Sequence, residues 1–225
     1  MSMRAPVKFL ALMILAAFFQ EGKIAYSELH GAAGWRKIQE QQSSSAALEY
    51  TMLNEKTLVG VFAGAYNIAD DRFKQIYEGQ AYVFGFGLSQ RIHAFHRHFI
   101  FISLDFKFYT KKGKSTVTKE DAKLILKPIS LGGVYMFLTK PVIPFAEIGG
   151  DYYPYQEESP LYTTSGSALG FHVQTGVLIP LKVIESLKVK LYLRYSRVKT
   201  EENDLEVNLG GIEYGLGLVY GLNLF

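Results

Sequence analysis

The sequence predicts an all-β fold: an eight-stranded antiparallel up-and-down barrel that spans a membrane, following an N-terminal signal peptide. Three observations carry this reading. The chain closes on a long stretch of strict alternation, similar alternating segments recur about every 20 residues before it, and its one long apolar run is too short to be a membrane helix.

In the closing segment Ile212, Tyr214, Leu216, Leu218, Tyr220, Leu222 and Leu224 share one parity, whereas Gly211, Glu213, Gly215, Gly217, Gly221 and Asn223 share the other. A side-chain period of two marks a strand with different surroundings on its two faces. Large apolar residues opposite glycines and polar groups suit an outer face in lipid and an inner face in a crowded lumen.

At the other end Arg4 and Lys8 form a positive n-region, and Phe9 to Phe19 is uninterrupted apolar sequence. About 20 apolar residues are needed to span a bilayer as a helix, so this run reads as a signal-peptide core. Ala17 and Ala25 are both candidate cleavage positions, which assigns residues 1–25 to the signal. An exported chain with no other long apolar run crosses a membrane only with strands, because lipid tolerates only helices and closed barrels.

Residues 26–57 read as a polar lead-in containing Gln39-Glu-Gln-Gln-Ser-Ser-Ser45, and residues 58–225 as the barrel. Candidate strands are Leu58 to Tyr66, Tyr77 to Leu88, Phe99 to Tyr109, Leu124 to Leu138, Ile143 to Tyr153, Ser167 to Ile179, Leu187 to Lys199 and Leu205 to Leu224. With the N-terminus periplasmic, loops 67–75, 110–123 and 154–165 face outside and are the places for an external ligand. The connection Ser89 to His98 is longer than a periplasmic turn requires.

Composition narrows the function. Tyrosine (15), phenylalanine (16) and glycine (21) are abundant, and there is no cysteine. That removes disulfides, zinc–thiolate sites and cysteine nucleophiles together. A net charge of +3 without a basic run gives no basis for nucleic-acid binding.

Four segments come in order: Pro144-Phe-Ala-Glu-Ile-Gly-Gly-Asp-Tyr-Tyr153, Gly170-Phe-His-Val-Gln-Thr-Gly-Val-Leu-Ile-Pro180, Leu191-Tyr-Leu-Arg-Tyr195 and Asn208-Leu-Gly-Gly-Ile-Glu-Tyr-Gly-Leu-Gly-Leu218. Together they resemble the last four strands of the outer-membrane β-barrel family that includes opacity proteins and the membrane domain of outer membrane protein A. The resemblance runs from about Leu58 to Phe225. It implies a place in the outer membrane of a Gram-negative envelope, with outer-membrane lipid and the barrel-assembly machinery as partners. Tyr220, Leu222, Leu224 and Phe225 would then form the insertion signal, although Phe225 falls one residue out of phase with the lipid-facing set.

The inward parity gathers Asp105, Lys107, Glu147, Asp151, Lys190, Arg194 and Glu213. An eight-stranded lumen is just wide enough to be filled by side chains, and unpaired charges there are strongly unfavourable, so these residues are expected to pair and seal the barrel. A proton or ion path is the functional alternative. His93, His96 and His98 have spacing that would let two imidazoles reach one metal, yet no carboxylate is near in sequence. No cofactor, metal or catalytic residue is assigned. His172 reads as a satisfied interior residue, and Ser167 forms no convincing pair with it. Tyr66, Tyr77, Tyr109, Tyr152, Tyr153, Tyr155 and Tyr162 are expected at the headgroup level. The role implied is structural or surface-interactive rather than enzymatic. A small-solute or lipophilic-molecule channel and a lipid-modifying enzyme are the alternatives. A soluble barrel around an apolar ligand would instead place apolar residues on the glycine and charged parity.

Overall fold

The computed structural model describes residues 55–77, 80–114, 120–139, 141–159, 163–181, 184, 186–202 and 205–223. The expected signal segment, the lead-in up to residue 54, Tyr162, Leu224 and Phe225 lie outside the described residues.

Alternation becomes strand along the whole described chain. The elements are β1 (Thr57–Ile68), α1 (Asp71–Ile76), β2 (Ala81–Phe95), β3 (His98–Lys114), β4 (Asp121–Leu126), β5 (Ile129–Phe137), β6 (Ile143–Glu158), β7 (Thr163–Pro180), β8 (Leu187–Glu202), β9 (Leu205–Asn208) and β10 (Gly211–Leu222). All neighbours pair antiparallel, and β10 closes on β1 from Thr57↔Leu222 to Ile68↔Gly211. The ring has eight members because β4 with β5, and β9 with β10, each make one interrupted strand. Among the described residues no helix is long and apolar enough to cross a membrane.

Both interruptions have local causes. Pro128 has no N–H to donate, so the fourth strand breaks at Lys127-Pro128. The ladder is carried across it by Lys107 N–H to Pro128 O (2.9 Å) and Lys127 N–H to Pro154 O (3.0 Å). At the other break the Asn208 side chain replaces a backbone acceptor, with its Oδ1 receiving Val198 N–H at 3.1 Å and Gly210 N–H at 3.0 Å.

Several boundaries depart from expectation. The second strand starts at Ala81 rather than Tyr77, because Asp71–Ile76 forms α1, with Lys74 Nζ 2.8 Å from Asp71. The expected connection Ser89 to His98 is mostly strand. A bulge between Arg91 and His93 breaks the period of two, and β2 turns into β3 through only His96 and Arg97. The stretches 110–123 and 154–165, expected as loops, are largely strand as well, since pairing persists to Lys114↔Asp121 and Glu158↔Thr163. Their polar outward residues look like loop sequence but belong to hairpins that run past the apolar band.

His96 has φ = 52°, the left-handed region, where a β-carbon is unfavourable. His96→Gly should therefore stabilise the barrel by about 0.5–1 kcal/mol, read as a higher unfolding midpoint in detergent micelles.

The two faces of the wall differ as the parity requires. Outward side chains such as Phe84, Phe86, Ile100, Ile102, Ile148, Leu191, Leu216, Leu218 and Tyr220 are exposed, and Leu104, Phe106 and Leu193 are half-exposed. Inward, the lumen is filled in tiers. Near the termini Leu58, Phe62, Phe99, Phe101, Met136 and Phe145 form an apolar tier. At the opposite mouth Tyr66, Tyr77, Val83, Tyr109, Leu126 and Tyr153 form a second. Glycine makes this filling possible at Gly85, where a β-carbon would overlap the Phe62 ring.

Two expectations are corrected here. Phe99 and Phe101 share the parity of Asp105 at one end, and Val83 and Leu126 are buried at the other, so the inner face is apolar at both ends of the charged zone. And Tyr66, Tyr77, Tyr109 and Tyr153 are buried inside the mouth instead of lying at headgroup level. For Tyr66, Tyr109 and Tyr153 parity decides this, since they fall in phase with Phe62, Lys107 and Asp151. Tyr152, one residue out of phase, is exposed, and Tyr155 is half-buried.

Candidate functional site

Between the apolar tiers lies a layer of charge. Strands β3, β5, β6, β7, β8 and β10 each contribute inward residues to it, because every second side chain of a barrel strand points to the lumen. Lys107 Nζ donates to both oxygens of Glu213, at 2.9 and 2.8 Å, and Tyr109 (2.5 Å) and Tyr192 (2.8 Å) donate to the same carboxylate. Arg194 donates to Ser130 Oγ at 2.6 Å and to Asp151, and its other terminal nitrogen lies 3.9 Å from Asp105.

His172 stands between two carboxylates, with Nδ1 2.9 Å from Asp151 and Nε2 3.3 Å from Glu147. Glu147 also accepts from Ser103 (2.7 Å) and Gln174 (2.9 Å). Carboxylates only accept when ionised, so satisfying both requires a hydrogen on each ring nitrogen. Gly149 leaves the space for this ring, since a β-carbon there would lie 2.6 Å from His172 Cε1.

Of the residues singled out from parity, the fold brings Asp105, Lys107, Asp151, Arg194 and Glu213 into ion pairs and Glu147 into contact with His172. Lys190 differs. It is half-buried, forms no ion pair within 4.0 Å among the described residues, and its ammonium lies over the rings of Phe145 (5.2 Å), Tyr192 (5.4 Å) and Phe62 (5.6 Å). A cation over an aromatic face keeps part of its electrostatic stabilisation after leaving water. Beside it a cavity of about 40 Å³, lined by Phe62, Ser103, Asp105, Glu147 and Lys190 among others, has room for only a few waters.

Two further closures were not legible in the sequence. At the terminal end Lys188 is fully buried and donates to both Glu55 oxygens, at 2.8 and 2.6 Å. Burial pushes the Glu55 carboxyl above its ordinary value, against the opposing pull of Lys188. Lys188 shares parity with Lys190, which was the available signal, but Glu55 falls in the polar lead-in and gave none. At the opposite mouth Tyr77 donates to Glu157 at 2.8 Å, linking the segment after α1 to β6 on the far side of the ring.

Two other groups are not assembled into sites. His93 and His98 lie on the β2–β3 hairpin and His96 in its turn, and His98 Nδ1 is paired with the Tyr135 hydroxyl. Among the described residues no group of three His, Cys, Asp or Glu could hold a metal. Ser167 is exposed on the outer wall of β7, while His172 is enclosed in the lumen, so the fold keeps them apart.

No family model matches the chain, and no curated protein matches it in sequence. Among solved structures, Neisserial surface protein A superposes with a TM-score of 0.54 at 16% identity, covering 74% of this chain and 97% of that one. The outer membrane protein OprG from Pseudomonas aeruginosa superposes with a TM-score of 0.58 at 13% identity, covering 76% of this chain and 97% of that one. At such identities the likeness is one of fold, and that fold is the eight-stranded up-and-down barrel of small outer-membrane proteins.

Proposed function

We propose that this chain is an exported, integral outer-membrane barrel whose lumen is sealed and whose role is structural or surface-interactive. The observation that carries the reading is the charged layer. Its ion pairs and hydrogen bonds occupy the middle of the lumen, and apolar tiers close it above and below. A hydrated ion crossing this zone would have to displace Lys107–Glu213 and Arg194–Asp151 in a dry interior, where breaking a pair is strongly unfavourable. The wall supports the membrane placement: across its apolar band the large apolar side chains face outward, and Asp105, Lys107, Glu147, Asp151, Arg194 and Glu213 face inward. The lipid of the membrane and the machinery that assembles barrels are the partners this reading requires. Any external ligand would meet the rim hairpins β3–β4 and β6–β7 and the α1 segment.

A catalytic role receives no support from Ser167 and His172, which lie on opposite faces of the wall, with both nitrogens of His172 facing carboxylates. The test is electrical. Purified full-length barrel in planar bilayers should show no steady conductance, whereas large stable openings from the wild-type chain would favour a channel and overturn the sealed reading. Glu213→Ala should convert the silent barrel into one with brief openings, because it frees Lys107 and removes the carboxylate that Tyr109 and Tyr192 hold in place.

A further inference from the structure

One of the irregular places in the wall opens onto its outer face. Where the fourth strand breaks at Lys127-Pro128, a groove of about 370 Å³ opens across β4, β6 and β7. Its outward lining is Ile125, Lys127, Tyr152, Gln156, Ser165 and Ser167, around Pro154. Register explains the hollow. Pro154 pairs with Ser167 and Gln156 with Ser165, so short side chains stand where neighbouring rows carry Tyr152 and Leu169.

We infer that this groove holds the phosphorylated headgroup of an outer-leaflet glycolipid, an assignment that rests on the outer-membrane reading above. Three observations point there. First, the polar side chains lining it are an ammonium, two serine hydroxyls, two phenols and a carboxamide that donates to Glu158 at 3.0 Å, with no carboxylate in the lining itself. Such a set donates hydrogen bonds and carries positive charge, which is what an oxyanion requires. Second, cations are concentrated beside it. Lys112 and Lys123 lie directly opposite one another on β3 and β4. Like charges so placed repel unless an anion sits near them. Lys123 has Glu158 at 3.3 Å, whereas Lys112 and Lys127 have no carboxylate partner among the described residues. Third, the groove meets the apolar wall at Tyr152 and Leu169, both exposed. An amphipathic ring at that height marks the headgroup boundary. A lipid can therefore place its phosphate by Lys127 while its chains lie along Ile129, Ile148 and Leu169, a combination that free phosphate cannot use.

The test reconstitutes the full-length barrel into phosphatidylcholine nanodiscs doped with bis-phosphorylated lipid A, and counts retained lipid A per barrel by native mass spectrometry. Wild-type barrel should retain lipid A, millimolar inorganic phosphate should not displace it, and dephosphorylated lipid A should be retained no better than phosphatidylcholine. Lys127→Gln combined with Ser167→Leu, which removes the charge and fills the hollow, should lower retention at least fivefold. Lys114→Gln, a basic rim residue outside the groove, should not lower it. Equal retention by the groove variant, or by dephosphorylated lipid, would overturn the inference while the barrel still inserts. Displacement by inorganic phosphate would identify an anion site that is not a lipid site. Failure of the wild-type chain to insert would overturn the membrane reading, and this inference with it.

Discussion

Arg194→Ala should destabilise the barrel by about 3–5 kcal/mol, the cost expected when one partner of a buried charge pair is removed and the other is left behind. Arg194 is only 1% exposed and is the cation that faces Asp151 and Asp105 together. Its loss leaves Asp151 with His172 and Ser130 but without its guanidinium, and Asp105 without the same cation, in a lumen too narrow for bulk water. The side chain itself is also large, so truncation opens space at the middle of the barrel. Thermal unfolding in detergent, followed by heat-modifiable migration on gels, should show a marked drop in midpoint. Lys112→Ala, on the exposed end of β3, should change stability by less than about 0.5 kcal/mol. Equal midpoints for the two variants would mean that the charged layer is solvated, and the sealed reading would fail with it.

Deleting Tyr220 to Phe225 should abolish accumulation of the membrane-assembled barrel. In the ring Tyr220, Gly221 and Leu222 pair with Val59, Leu58 and Thr57, and Tyr220 also pairs with Leu187. Removing them opens the closing seam at its terminal end and leaves backbone groups unpaired in lipid, which cannot satisfy them. It also uncovers the Glu55–Lys188 pair, since Gly221 packs against the Glu55 side chain. Pulse-labelled cells should hold the truncated chain as protease-sensitive material in the periplasm. Refolding the same truncation in detergent separates two causes. If it refolds normally there, the deleted residues act in recognition by the assembly machinery; if it does not, they act in closing the ring. Normal assembly in cells would contradict both.

Parity read from sequence went far because a barrel strand has only two faces, and lipid enforces their difference. Ile100, Ile102, Leu104, Phe106, Phe108, Leu191, Leu193 and Tyr195 could be placed outside, and Asp105, Lys107, Arg194 and Glu213 inside, without knowing any neighbour. Where parity was interrupted, the sequence misled. The bulge between Arg91 and His93 made the end of β2 look like a loop, and polar outward residues disguised the hairpins beyond the apolar band.

The chain's own pattern thus determined the strand number, the up-and-down order and which charges face the lumen, since each depends on residues close in sequence. Tertiary structure decided which charges meet. Lys107 reaches Glu213 across 106 positions, Lys188 reaches Glu55 across 133, and Lys190 lies over aromatic rings with no carboxylate within 4.0 Å among the described residues. Those choices depend on the stagger of the strands around the ring and on the space that glycines such as Gly149 leave inside it. Both are set only when β10 closes on β1, because no local spacing encodes the distance across a lumen.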